Sequence, residues 1–388
     1  MAFVFFGKYD GEIVGFLLEK NNETYDMTPK FATNSHVGSV RCMTCGIAHN
    51  IPYCLTGGAD EAIRIYNLKK GQEDGTMLYH KGDVTALAFA GEGHVLSGSA
   101  DHSICMWKTK EWLKLHLLGG HKDTVLSISV HPSNRLALSS SADKTLRLWD
   151  LIKGRPSFIK KLPSECTKVR FSPDGDFYAL LFNKMIQVYK VDDGELVLEV
   201  ENKAGLEDFC YVENEQIAFT GNDKIIHLYS ITDKKELSSY TCDTKYRVRT
   251  LVYCLLEDPV LIAGCSDGTI IVWDINNTET PVYKRQINGR ITVCDAIPTF
   301  VNESHGEEGD ENDDIEIEQD DNDSSISDDN DNNISDNNDS DDDDDSNDND
   351  NDINDNNDDS DNMNDESEEE EEDAMEDSDD DNNSDDDE

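Results

Sequence analysis

Across the first 300 positions apolar and polar residues alternate at a period of two, in short runs separated by Gly, Asn, Asp and Ser. The stretch Leu138–Asp150, LSSSADKTLRLWD, shows the unit most clearly. It predicts a strand over Leu136–Ser141, a tight Ala-Asp-Lys turn and a second strand over Thr145–Trp149. Period two places Leu146, Leu148 and Asp150 on one face and Thr145, Arg147 and Trp149 on the other. Upstream, Gly120-His121 opens the unit, and Val125, Ile128 and Val130 supply the apolar positions of a further strand.

Near-copies of this unit line up on the turn carboxylate. Asp60 (GGADEAIRIYN), Asp101 (GSADHSICMWK), Asp143, Asp223 (GNDKIIHLY) and Asp267 (GCSDGTIIVWD) each precede an alternating strand that ends in an aromatic residue. Asn183 (LFNKMIQVY) holds the same place without the acid, and successive offsets are 41, 42, 40, 40 and 44 residues. Four strands per repeat of about 40–45 residues, entered by Gly-His and left by Trp-Asp, resemble a WD-repeat propeller blade. Tyr189 and Tyr229 replace tryptophan in the fourth and fifth blades, and neither blade has a Gly-His entry.

The two ends of the repeat region complement each other. FVFFGKYDGEIVGFLL, with Asp10 as turn acid and Phe16 in the aromatic place, reads as second and third strands without a first. Arg290–Ile297 reads as a first strand with nothing after it. Joined, they complete a seventh blade and cover the open edges a propeller cannot leave unpaired. Seven inner strands align as Val40-x-x-Met43, Val84-x-x-Leu87, Val125-x-x-Ile128, Cys166-x-x-Val169, Leu206-x-x-Phe209, Val248-x-x-Leu251 and Ile291-x-x-Cys294. The expected fold is all-β: a seven-bladed WD-repeat β-propeller over residues 1–300, closed by its N- and C-terminal strands, followed by a disordered acidic tail over 301–388.

Charge sharpens that boundary. Residues 302–388 hold 46 Asp and Glu and no Lys or Arg, so they carry nearly all of the formal charge of −51. With no aromatic residue, such a segment buries too little apolar surface to offset the entropy of ordering. Ser325, Ser340, Ser367, Ser378 and Ser384, each with an acid three positions on, have the look of acidophilic-kinase acceptors. The N-terminal apolar run is too short for a signal peptide, and no run of 18 apolar residues exists for a membrane span. Ten cysteines without a secretion signal are expected to be reduced thiols in the cytosol or nucleus.

His121, Ser139 or Ser141, and Asp143 are the residue types of a hydrolase triad. Parts of the set recur as His36/Asp60 and His80/Asp101/Trp107, however, whereas an enzyme needs one site. The expectation is a structural network recurring in several blades, with Trp107, Trp149 and Trp273 and the turn acids Asp60, Asp101, Asp143, Asp223 and Asp267 as its structural residues. Cys42 and Cys45 have C-x-x-C spacing, but an offset of three on a strand aims the sulfurs to opposite faces. No phosphate loop or dinucleotide fingerprint occurs, so no cofactor and no metal is expected.

Two basic patterns mark candidate partner surfaces. Arg41, Arg247, Arg249 and Arg290 start the inner strands of blades one, six and seven, with Glu165, Glu207 and Asp208 expected across the ring. Lys69, Lys70, Lys108, Lys110, Lys153, Arg155, Lys160 and Lys161, with Phe158 among them, follow third strands and are expected to form one patch on the opposite face. The tail is expected to leave the seventh blade beside the arginines and to compete there with an anionic partner.

GKYDGEIVGFLL, Ser141–Leu162 (SADKTLRLWDLIKGRPSFIKKL) and Val169–Tyr189 (VRFSPDGDFYALLFNKMIQVY) resemble the p21-activated-kinase-interacting protein family over roughly residues 1–300. The resemblance implies a non-catalytic scaffold in the nucleus and nucleolus, needed for large ribosomal subunit assembly and rRNA processing. In animal members it also implies negative regulation of a p21-activated kinase. The implied partners are proteins, namely pre-ribosomal assembly factors and the kinase, with nucleic acid bound indirectly or weakly and the chain a monomer within larger complexes. The animal members of that family have lysine-rich tails where this one is acidic, and the acidic tail and propeller together give the alternative: a histone or basic-protein chaperone, or another nuclear WD-repeat adaptor.

Overall fold

A computed structural model describes residues 1–21, 24–277 and 280–299; the acidic segment 301–388 and its serines lie outside the described residues. Among the described residues all 28 elements are strands, arranged as seven four-stranded antiparallel sheets. Blade 1 is β4 (Val40–Ala48), β5 (Ile51–Gly58), β6 (Ala62–Asn67) and β7 (Gln72–Leu78). Blade 2 is β8 (Val84–Ala90), β9 (His94–Ser99), β10 (Ile104–Lys108) and β11 (Leu113–Leu118). Blade 3 is β12 (Val125–Val130), β13 (Leu136–Ser141), β14 (Thr145–Asp150) and β15 (Arg155–Lys161). Blade 4 is β16 (Lys168–Phe171), β17 (Phe177–Leu181), β18 (Met185–Lys190) and β19 (Leu196–Glu201). Blade 5 is β20 (Leu206–Val212), β21 (Gln216–Gly221), β22 (Ile225–Ser230) and β23 (Lys235–Thr241). Blade 6 is β24 (Val248–Leu255), β25 (Pro259–Cys265), β26 (Thr269–Asp274) and β27 (Tyr283–Gln286). Blade 7 joins β28 (Ile291–Pro298) to β1 (Ala2–Lys8), β2 (Glu12–Asn21) and β3 (Thr24–Asn34).

The closure is a full ladder. Register runs from Ala2 opposite Pro298 to Lys8 opposite Ile291, extended by Tyr9 N–H to the Arg290 carbonyl (2.9 Å) and Thr299 N–H to the Met1 carbonyl (3.1 Å). Thr292 Oγ1 then donates to the Val40 carbonyl (2.7 Å), tying blade 7 to blade 1. No seam remains, because one hydrophobic cluster fills each of the seven junctions between neighbouring blades. Strand alternation divides each blade between two junctions: Leu146 of β14 packs toward blade 4, and Trp149 toward blade 2. All fourteen aligned inner-strand positions are buried.

Two local devices repeat. Between third and fourth strands the register slips beside the aromatic, at Gly15/Phe16, Ile65/Tyr66, Met106/Trp107, Leu148/Trp149, Val188/Tyr189 and Leu228/Tyr229. Such a bulge twists the strand and re-aims the ring into the junction. The residue after the turn acid has positive φ in six blades: Gly11, Glu61, His102, Lys144, Lys224 and Gly268. Only two of these are glycine, and each of the others carries a strain of about 1–3 kcal/mol. The acid fixes the turn by accepting the N–H two residues on, as Asp101 does from Ser103 and Asp143 from Thr145 (2.9 Å each). Asn183, lacking the acid, makes a tighter turn closed by Phe182 N–H to the Met185 carbonyl (2.8 Å).

Candidate protein-docking face

The histidine networks define one end of the ring. His80 Nδ1 meets Asp101 at 3.0 Å and its Nε2 meets Ser97 Oγ at 2.7 Å, while Trp107 Nε1 donates to the same hydroxyl at 2.7 Å. Blade 3 repeats this: His121 to Asp143 (3.0 Å) and Ser139 (2.7 Å), with Trp149 Nε1 to Ser139 (2.8 Å). Ser141 instead donates to the Asp123 carbonyl. In blade 1 His36 joins Asp60 and Thr56 (2.8 Å each), with Tyr66 where the indole would be. The three hydroxyls at Thr56, Ser97 and Ser139 are wholly buried, so no substrate reaches them.

Electrostatics follows from that packing. Burial lowers the pKa of His80 and His121 below the usual imidazole value despite their aspartates, so both rings are neutral near pH 7. Burial works to raise Asp101, but hydrogen bonds from Ser103, Lys81 N–H and His80 prevail and hold it at about 2; Asp143 is held low in the same way. Asp223 accepts from Asn202 Nδ2 (2.6 Å) and His227 Nε2 (3.1 Å), and Asn202 sits four residues before Leu206 as His121 sits four before Val125. That spacing was the signal for an asparagine standing in for histidine. Among the described residues Asp267 keeps only its turn role toward Thr269, and the Trp273 indole nitrogen finds no hydrogen-bond partner.

The network end also carries the arginines. Arg41, Arg247, Arg249 and Arg290 line one cleft of about 130 Å³ with Tyr9, Ser39, Ser266 and Thr292, at the junction of blades 6, 7 and 1. Arg247 pairs with Glu207 at 2.7 Å, Arg249 grips the same carboxylate, and Arg41 pairs with Asp83 at 3.0 Å. The Arg290 guanidinium lies 5.2 Å from the centre of the Tyr9 ring. Glu207 is therefore not across the ring: it belongs to blade 5, adjacent to blade 6, and partly neutralises the arginines. Asp208 is not on the rim either. It is fully buried, accepting from Lys168 Nζ (2.7 Å), Leu251 N–H (3.0 Å) and Thr250 Oγ1 (3.1 Å), and so links blades 4, 5 and 6. Glu165 is exposed.

The second basic pattern divides. β15 runs the length of the blade edge, from Arg155 opposite Asp150 to Lys161 opposite Thr145. Lys153 and Arg155 thus sit at the far end with Lys69, Lys70, Lys108 and Lys110, whereas Lys160 and Lys161 reach the network end. Lys153 pairs with Asp150 (3.4 Å), Phe158 is 55% exposed midway, and Lys160 Nζ lies over the Tyr189 ring at 4.1 Å. Thr299, the last described residue, lies at the opposite end of β28 from Arg290. Eight strand residues put it roughly 26 Å from the arginine cleft, so the chain does not leave the seventh blade beside the arginines. A larger cleft of about 250 Å³ opens between blades 7 and 1, lined by Phe3, Phe31, Tyr66, Lys30, Lys69 and Lys70 among others.

Similarity to known proteins agrees with this architecture. The WD domain, G-beta repeat model matches residues 71–108, 112–150 and 235–274. Each match spans the outer strand of one blade and the three inner strands of the next, and these are the repeats ending in Trp107, Trp149 and Trp273. The chain is 34% identical over 295 residues to a p21-activated protein kinase-interacting protein 1-like of Gallus gallus, covering 74% of this chain and 78% of that one. It is 29% identical to p21-activated protein kinase-interacting protein 1 of Homo sapiens, covering 69% of each, and 27% identical to Protein MAK11 of Saccharomyces cerevisiae, covering 74% and 82%. With seven blades, the networks at one end and these relatives, the chain belongs to the WD-repeat family of p21-activated-kinase-interacting proteins.

Proposed function

We propose that this propeller is a non-catalytic docking scaffold for assembly of the large ribosomal subunit, acting in the nucleus and nucleolus. One observation supports it most: four arginines from three blades converge on a single cleft at the network end of a closed, rigid ring. A rigid ring that presents many loops suits simultaneous contact with several assembly factors. Tagged protein is expected to sediment with large-subunit precursor particles on sucrose gradients, and its depletion to lower the free large-subunit peak. Sedimentation only with free histones, and an unchanged subunit profile, would replace this reading with a basic-protein chaperone.

A second role is regulation of a p21-activated kinase, supported by the names of the animal relatives. Kinase activity measured with and without the full chain tests it; unaltered activity at saturating chain removes this role and leaves the assembly role standing.

A further inference from the structure

We propose that the arginine cleft binds one phosphoryl group, presented as a phosphoserine or phosphothreonine side chain of a protein partner. The inference rests on the docking reading and adds the chemistry of what docks. Four guanidinium groups face Glu207 and Asp83 there, which leaves a local balance of two positive charges. Asp10 and Glu12, on the neighbouring β1–β2 hairpin, share Lys8, which leaves one negative charge there, outside the cleft lining. Two uncompensated charges match a phosphoryl dianion better than a single carboxylate. The volume, about 130 Å³, is sized for one tetrahedral anion with a little water, and a nucleic-acid phosphodiester brings one negative charge where a phosphoserine side chain brings nearly two.

Geometry favours an oxyanion of this kind. Arg247 and Arg249 already close on the two oxygens of Glu207, the fork-to-oxyanion arrangement guanidinium groups provide. Locked there, they supply fixed positive charge at one wall. Arg290 makes no ion pair among the described residues and is oriented by the Tyr9 ring, so its donors are available. Arg41 is held only by a half-exposed pair with Asp83, an interaction of about 0–1 kcal/mol that an entering dianion readily displaces. Ser39 and Ser266 also line the cleft.

The test uses arginine side-chain resonances of the full chain. Residues 302–388 contain no arginine, so every such signal reports the ring. The ¹⁵N-labelled protein is titrated with N-acetyl-phosphoserine amide and, separately, with N-acetyl-aspartate amide. Saturable shifts are expected at Arg41, Arg247, Arg249 and Arg290, with phosphoserine binding about tenfold or more tightly than aspartate, as a charge-assisted contact of that order requires. Because the second phosphate pKa is about 6, affinity is expected to fall between pH 7 and pH 5.5. Arg290→Gln is expected to weaken binding about tenfold, and Arg41→Gln less, while Arg155→Gln at the far end leaves it unchanged. Thermal melts confirm that each variant is folded. Equal response to the two ligands, or shifts spread over all arginines, overturns the proposal. Absent phosphoserine binding with intact co-sedimentation removes only the phosphoryl site; lost co-sedimentation with intact binding removes the assembly role instead.

Discussion

Blades 2 and 3 and blades 4 and 5 solve the same problem with different chemistry. The first pair pins the turn to the inner strand through His, Ser, Asp and Trp, with histidine, serine and tryptophan buried, the aspartate partly so, and every hydrogen bond between 2.7 and 3.0 Å. In blade 5 Asn202 takes the histidine place and Phe219 the serine place, and Phe219 stacks on His227 with centroids 5.3 Å apart. Blade 4 has no turn acid, and Tyr178 and Tyr189 stack at 5.2 Å instead. Ring stacking thus replaces the directional network where the acid is missing, and where the entry histidine is missing it accompanies a network carried by Asn202, Asp223 and His227. The lesson is that the blade shape depends on the apolar junctions, while the networks add local rigidity at one end.

The sharpest test compares the aromatics. Trp149→Ala is expected to cost about 3–5 kcal/mol as a buried core truncation, and Tyr229→Ala, half-buried, less than half of that. Urea unfolding of both variants decides; equal losses would erase the distinction between the blades. Next, Asp143→Ala is expected to cost about 1–3 kcal/mol by stranding the donors of His121, Lys122 and Thr145. Asp223→Ala should cost less, its carboxylate being 18% exposed against 7% for Asp143.

pH separates the pairs by sign. A histidine whose folded pKa lies below its unfolded value binds its proton more weakly when folded. His80 and His121 therefore contribute fully above about pH 6.5 and lose that contribution as pH falls from there. At His227 burial also lowers the pKa, but Asp223 and Glu236 outweigh it and raise the value. Its contribution is full below about 6.5 and disappears as pH rises through the folded value. Amide exchange, corrected for intrinsic pH dependence, should loosen β9–β10 and β13–β14 on acidification from pH 7 to 5.5 while β21–β22 tightens. The same direction in both would contradict the assignment. The smallest effect expected is Lys160→Ala, which removes a cation over the Tyr189 ring and about 0.5–1 kcal/mol, readable as a shift in melting temperature.

Repeat number, closure and inner strands were legible because each depends on periodicity or on turn acids, and both are one-dimensional signals. Thr56 and Asn202 were not, since each substitutes a different functional group into a place defined by spacing alone. Surface geography was the least accessible. Glu207 and Asp208 are consecutive, yet strand alternation beside the bulge between Leu206 and Asp208 sends one to the cleft and the other into the ring. Lys153 and Lys161 are close in sequence but separated by the length of β15. The point where the chain leaves the seventh blade was misplaced for the same reason: β28 carries it from one face to the other, to Thr299.

That last strand has a consequence for biosynthesis. β1 leaves the ribosome about 290 residues before the β28 it must pair with. At the usual rate of roughly 5–20 residues per second, its apolar edge waits about 15–60 s for a partner. Through that interval the nascent chain displays Phe3, Val4, Phe5 and Phe6 with one side of their backbone unsatisfied. The same ladder that leaves the mature ring without a seam therefore makes its synthesis a period of exposure, during which a chaperone holding the first hairpin has the most to prevent.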